Sequence, residues 1–408
     1  MSDPLTLPTE LLDDILTYLP PNSGSNLQAC ALSFRAFLPL AQKRLFKAIR
    51  ISSAFTSLYA ARETACAKLA KVLEESSHLA GYAQSLEIAD RAPFSSENNL
   101  PPDPSLTRLL ALLPSLTHLS YEGSYHHHRP FPFVSNAAHV VLPSLTHLRL
   151  SRVQSLPLWF IDCFPNLRSL SMCSVTFAYP LTVTRNNVNS VPHLEELAVD
   201  WMCGMGEVAL CLENRLLPGI AKLRKLSILI PSNNETELGH VYGIFQLASD
   251  SGGLEELQLR AYYDVTSQTS FPPAIVTTLL TLPALRKLYF SIDIDADGRN
   301  QLPWVISLLS SLVSSPPSKT LESITLTVTH HLAIFARAYW RDLDALFSSP
   351  TSHFSSVREV VVRMVIPFPE VSAGVAMVSN VAGKVRSCLP VLEGMGILRA
   401  QLIMEGDV

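Results

Sequence analysis

Leu142-Pro143-Ser144-Leu145-Thr146-His147-Leu148-Arg149-Leu150 is the phrase whose reading decides the fold. It stands almost unchanged from Leu113 to Tyr121 and returns as Phe164-Pro165-Asn166-Leu167-Arg168-Ser169-Leu170-Ser171-Met172. Further copies run from Val191 to Val199, Leu223 to Ile228, Leu254 to Leu259 and Leu282 to Phe290, with weaker ones at Leu321 to Leu326, Val357 to Val362 and Leu389 to Leu392. The first leucine of each unit falls at Leu116, Leu145, Leu167, Leu194, Leu223, Leu254, Leu285, Leu321, Val357 and Leu392, so the units recur every 22 to 36 residues. Self-similarity on this scale marks a chain of stacked supersecondary units.

In L-x-x-L-x-L the last two apolar positions turn inward and the residues between them turn outward, because successive side chains of a strand alternate. Before most strands stands an apolar stretch of helical length, as at Leu106 to Leu113, Leu156 to Phe164, Ala274 to Leu282 and Val305 to Val313. A proline often closes it, ending the helix and driving the preceding residue toward extended geometry. Strand and helix alternating at this period predict parallel strands joined by right-handed crossovers in a curved solenoid. A doubly wound α/β domain would alternate the same elements, but it would not repeat the phrase, and no glycine-rich phosphate loop follows any strand. From about residue 80 to 400 the pattern resembles leucine-rich repeats. One departure matters: the consensus asparagine eight residues after the first leucine is replaced by Ser124, Val153, Val175 and Met202. That implies irregular loops and uneven curvature.

Composition agrees with a folded chain. Hydrophobic residues are 48% and charged residues 16% of the 408, far from the profile of disorder. Mean hydropathy is +0.23, yet no run of about 18 apolar residues is present to cross a bilayer; Val360 to Val381 is broken by Arg363, Pro367, Pro369 and Glu370. The opening Met1-Ser2-Asp3-Pro4 has no secretion signal, so a cytoplasmic or nuclear, reducing compartment is expected. A net charge of −4 with scattered Lys and Arg gives no footprint for nucleic acid or an anionic membrane. The seven cysteines, Cys30, Cys66, Cys163, Cys173, Cys203, Cys211 and Cys388, form no C-x-x-C pair and read as small buried hydrophobes.

The first fifty residues follow a different rhythm. Leu11, Leu12, Ile15, Leu16 and Leu19 recur at helical spacing behind Leu7-Pro8-Thr9-Glu10 and ahead of Pro20-Pro21. Pro8 suits a first turn, where a missing N–H has no partner, and the acidic residues complement the dipole. A second pattern carries Leu27, Cys30, Ala31 and Phe34, and a third, beginning at Pro39, carries Leu40, Ala41, Leu45, Phe46 and Ile49. Three short helices cannot bury all of these. Leu7-Pro8-x-Glu10-Leu11-Leu12-x-x-Ile15-Leu16-x-x-Leu19-Pro20, followed by Leu27-x-x-Cys30-x-Leu32-Ser33-x-Arg35-x-Phe37 and Leu45-Phe46, resembles an F-box over roughly residues 4 to 50. Phe37 stands where many F-boxes have Trp. The resemblance implies docking on the SKP-family adaptor of cullin-RING ubiquitin ligases, through Leu7, Pro8, Leu11, Ile15, Leu16 and Leu19 with Cys30 and Leu32. Read without it, the same helices are a cap on the open end of the array.

Asp293-Ile294-Asp295-Ala296-Asp297-Gly298 opens like a calcium loop, but its twelfth position is Trp304, not a bidentate Glu. His126-His127-His128 reads as an exposed insertion, since three consecutive side chains cannot converge on one ion. His118 and His147 occupy equivalent places in adjacent repeats and should be neighbours. No catalytic motif is present, so the expectation is no enzyme, no metal and no cofactor.

The expected architecture is therefore α/β: a small three-helix F-box over residues 1–50, a linker helix over 51–80 centred on Ala54 to Ser76, and a parallel-strand and helix leucine-rich-repeat solenoid, an irregular horseshoe, over 81–408, with Ser85 to Ile88 as its first strand. Outward positions on the strands would meet a protein client: His147, Arg149, Glu196, Asp200, Lys225, Gln258, Arg260, Lys287 and Tyr289, with Thr325 further on. The function expected is that of a substrate-recognition adaptor; the other reading is a non-catalytic repeat scaffold.

Overall fold

A computed structural model describes residues 8–19, 24–52, 64–89, 104–123, 142–178, 193–200, 203, 205–212, 220, 222–230, 235–250, 252–261, 282–294, 301–313, 320–330, 337–348, 353–366 and 381–404. Parallel strands alternate with helices in two compact units, Met1–Pro192 and His193–Val408.

The first unit begins with three helices, α1 (Thr9–Thr17), α2 (Gly24–Ser33) and α3 (Leu38–Lys47). Its strands are β1 (Ala48–Ser52), β2 (Ser85–Ala89), β3 (His118–Glu122), β4 (His147–Leu156) and β5 (Ser169–Phe177), lying side by side in chain order. Leu86, Leu119, Leu148 and Leu170 share one register row, and Ile88, Tyr121, Leu150 and Met172 the next. All eight are buried, and burying a side chain of this size contributes about 1.5–3 kcal/mol. Behind the sheet, α4 (Ala65–Glu75) packs on α5 (Pro104–Ala111). Cys66, Ala70 and Leu73 form the buried face of α4, spaced by four and three residues as one side of a helix requires. Thr64 caps its start, its Oγ1 accepting from Ala67 N at 3.1 Å.

The second unit carries β6 (Glu196–Asp200), β7 (Lys225–Ile230), β8 (Glu256–Ala261), β9 (Lys287–Ile294), β10 (Ser323–His330), β11 (Glu359–Ile366) and β12 (Leu398–Met404), again in chain order. Its helices are α6 (Met205–Cys211), α7 (Glu235–Asp250), α8 (Leu302–Val313), α9 (Arg337–Ser348), α10 (Val381–Cys388) and α11 (Pro390–Gly394). The apolar row Leu197, Leu226, Leu257, Leu288, Ile324 and Val360 is continuous and buried. A backbone ladder joins the strand starts: the N–H groups of Arg224 and Lys225 donate to Glu195 O, those of Glu255 and Glu256 to Arg224 O, and those of Arg286 and Lys287 to Glu255 O.

Three expectations need correction. The first strand is β1, not the segment from Ser85; α3 ends at Lys47 and Ile49 lies in a strand that pairs with Leu86. Between them the described part of the linker helix, expected over Ala54 to Ser76, runs from Ala65 to Glu75, and its expected beginning at Ala54 lies outside the described residues. Leu158–Cys163 forms a 3₁₀ helix, tighter than the α-helix expected there. Leu392 sits in α11, and the last strand starts later, with Val360 opposite Leu398. Pro390 favours the first helical turn, and the buried Asp344 carboxylate accepts from Val391 N at 2.9 Å and Leu392 N at 3.0 Å, which fixes that turn.

Candidate protein-docking surfaces

Two surfaces collect the candidate residues. On α1, Leu12 and Leu16 turn inward with Leu27 of α2 and Ala41 of α3. Arg44 of α3 anchors α1 from the side, donating to Asp13 Oδ1 and to Asp13 O at 2.8 Å each. The opposite side of α1 is bare: Leu11 is 49% and Ile15 47% exposed, and Pro8 is exposed one turn before them. Tyr18 extends the same stripe at i+3 from Ile15 and is exposed. Leu32 on α2 is 88% exposed, while Leu19 and Cys30 are half-buried. Leu16, at 1% exposure, belongs to the module's own packing and cannot meet a partner; this corrects its place among the contact residues. Leu7 lies outside the described residues. Sequence reasoning passed over Tyr18, although its spacing from Leu11 and Ile15 marks it. Phe34 and Leu38, also exposed, were not named as contact residues either.

The second surface is the strand face opposite the buried leucines. In the second unit it is crossed by charges that answer one another. Lys225 Nζ lies 2.9 Å from Glu196 Oε1 and 4.0 Å from Glu256 Oε2, and Lys287 Nζ lies 2.8 Å from Glu256 Oε1. One residue earlier a second row runs in parallel: Arg224 pairs with Glu255 and Arg286 with Glu322, each at 2.8 Å. The bond to Glu196 raises the Lys225 pKa, and the bond from Arg224 lowers that of Glu255. Arg260 donates to Asp200 at 2.6 Å, and its Nε is buried without a hydrogen-bond partner. Gln258 and Tyr289 are register partners and half-buried. The client residues expected in this unit are thus on one strand face, but Glu196, Asp200, Lys225, Arg260 and Lys287 are engaged with each other. Thr325 is buried and leaves the set of contact candidates.

In the first unit the same face carries His118 opposite His147, stacked with centroids 4.1 Å apart and planes 10° from parallel. The Thr117 hydroxyl donates its one proton to Gln84 O at 2.9 Å, so its 2.9 Å contact with His118 Nδ1 has the ring as donor. Thr146 repeats this, donating to Thr117 O at 3.1 Å and accepting from His147 Nδ1 at 2.9 Å. Both imidazoles are therefore held with Nδ1 protonated and Nε2 bare. Partial burial, then the charge of His147, lowers the His118 pKa from its ordinary 6.5. Arg149, two residues beyond His147, is exposed and has no carboxylate partner among the described residues.

Parallel rings send their Nε2 lone pairs side by side, not to one point, a poor geometry for chelation. No group of three or more potential metal ligands occurs among the described residues. His126, His127, His128 and the calcium-like loop beyond Ile294 lie outside them; Trp304 is buried in α8, edge-on to Phe290 at 6.1 Å. Cys30, Cys66, Cys163, Cys173, Cys203 and Cys388 carry reduced thiols. No described helix is long and apolar enough to cross a membrane. Compared with known proteins, the sequence matches no family model and no curated relative.

Proposed function

We propose that the chain is the substrate-recognition adaptor of an SCF-type cullin-RING ubiquitin ligase, with α1 to α3 as an F-box docked on the SKP-family adaptor and the strand face holding a protein client. In this reading the chain does no chemistry itself and needs no cofactor. The observation that carries it is the bare stripe of Pro8, Leu11, Ile15 and Tyr18 on α1, together with exposed Leu32 on α2, on helices whose other side is already packed. Exposed large apolar side chains grouped on one helix face mark a surface for another protein. The resemblance of these helices' sequence to an F-box is what points to the SKP-family adaptor as that protein.

The test is co-purification of the full chain with the SKP-family adaptor. Leu11→Asp with Ile15→Asp is expected to abolish capture and to leave the melting temperature nearly unchanged, because both side chains are outside the core. Capture that survives both substitutions would remove the proposal. A second reading, a binding scaffold with a helical cap, draws on one observation: α3 runs into β1 without a loop, so the helices are joined directly to the sheet's first strand.

A further inference from the structure

The first unit's strand face differs from the second's in what its groups have left to bind. Around the histidine pair the register rows read Ser85, His118, His147, Ser169 and, one step along, Glu87, Ser120, Arg149, Ser171. Serines on both sides leave the two rings and Arg149 as the tall groups of this area. The charges packed near them are already matched: Glu87 of β2 binds Arg50 of β1 at 2.8 Å, and Glu122 of β3 binds Arg152 of β4 at 2.7 Å. On β5 the facing residues are Ser169 and Ser171, and Arg168 stands at its approach. Arg149 adds a positive charge that no described carboxylate offsets.

The locked tautomer decides what the pair does when it gains a proton. With each Nδ1–H committed to a threonine, the proton enters at Nε2, which faces away from that hydroxyl. An acceptor then becomes a charged donor beside Arg149. Two stacked imidazolium rings would repel, so the second proton enters only if negative charge is brought in.

We propose that His118, His147 and Arg149 form a proton-gated docking site for an acidic peptide segment of the bound partner. Charge complementarity selects the occupant: a carboxylate can accept from Nε2–H and from the guanidinium together, bonds that are charge-assisted on both sides. The inference rests on reading the strand face as a recognition surface, and it is independent of the adaptor stripe. The sign follows from linkage. Occupancy by carboxylate stabilises the protonated rings, so binding takes up protons, and affinity rises as pH falls through the interval between the free pKa, below 6.5 for His118, and the higher bound value.

The experiment uses the full chain and a fluorescent peptide of about eight aspartates, with an asparagine peptide as control, followed by anisotropy at about pH 5.5 and about pH 7.5. Binding is expected to be about tenfold or more tighter at the lower pH, since one proton taken up gives up to tenfold per pH unit. His118→Gln with His147→Gln should flatten this dependence, and Arg149→Gln should weaken binding at both pH values. Ring-labelled histidine NMR on the unmodified chain provides a second readout, in which the aspartate peptide must raise the pKa of the pair. Affinity that ignores pH, a pH slope that persists in the double variant, or histidine pKa values unmoved by the peptide would each overturn the proposal. Adaptor capture by the same variants separates this outcome from failure of the F-box reading.

Discussion

Arg152 and Ser174 hold φ of 56° inside β4 and β5, a left-handed geometry that few side chains adopt. Each sits just before Val153 or Val175, the positions where the consensus asparagine is missing, and the turn it makes returns that valine to the core. At the matching place after β3 the chain has Gly123, whose N–H donates to Ser151 O at 2.8 Å. A Cβ there would lie 2.2 Å from Arg152 O. That neighbour is backbone and cannot swing away, so Gly123→Ala is expected to cost about 2–4 kcal/mol, read as an earlier urea midpoint. Gly243→Ala, mid-helix with nothing within 4 Å, should be neutral or stabilising in the same assay. The leucine phrase revealed the strands, but no residue pattern announced this turn. The positive φ at Arg152 and Ser174 comes just before the paired Val153 and Val175, a register that a single chain segment does not display.

At the scale of elements, Leu254-Glu255-Glu256-Leu257 lies between Leu223-Arg224-Lys225-Leu226 and Leu285-Arg286-Lys287-Leu288, so each of these repeats faces charges of opposite sign. The alternation was visible in the sequence, as were the positions on the open face. Its meaning was not, because only register shows that the charges meet each other. Lys225→Glu would set three carboxylates abreast. The expected loss is roughly 0.5–1 kcal/mol at low salt, as for like charges directly opposite across strands, and it should shrink in about 0.5 M salt, where screening acts within a few ångströms. Lys225→Gln should cost less. A loss that salt leaves unchanged would mean that packing, not charge, is at stake. The first strand escaped sequence reading for a related reason: Leu45, Phe46 and Ile49 continue a helical spacing, and Ala48 to Ser52 becomes extended because β2 offers it a pairing edge.

For the molecule as a whole, the direct passage from Lys47 in α3 to Ala48 in β1 separates what two truncations remove. A chain beginning at Phe34 loses α1 and α2 and is expected to lose adaptor capture while keeping most of its thermal stability. A chain beginning at Ser53 also loses β1, leaves β2 as an unpaired edge, and should melt at least about 2 °C lower still. Equal melting losses in the two would favour the cap over the F-box. The charge alternation also bears on how such an array can change in length. Excising one repeat, the stretch from Leu223 to the residue before Leu254, would bring Glu195 and Glu196 against Glu255 and Glu256; excising two restores the match. Over these four repeats the array has parity, so duplications and losses are tolerated in even steps and penalised in odd ones.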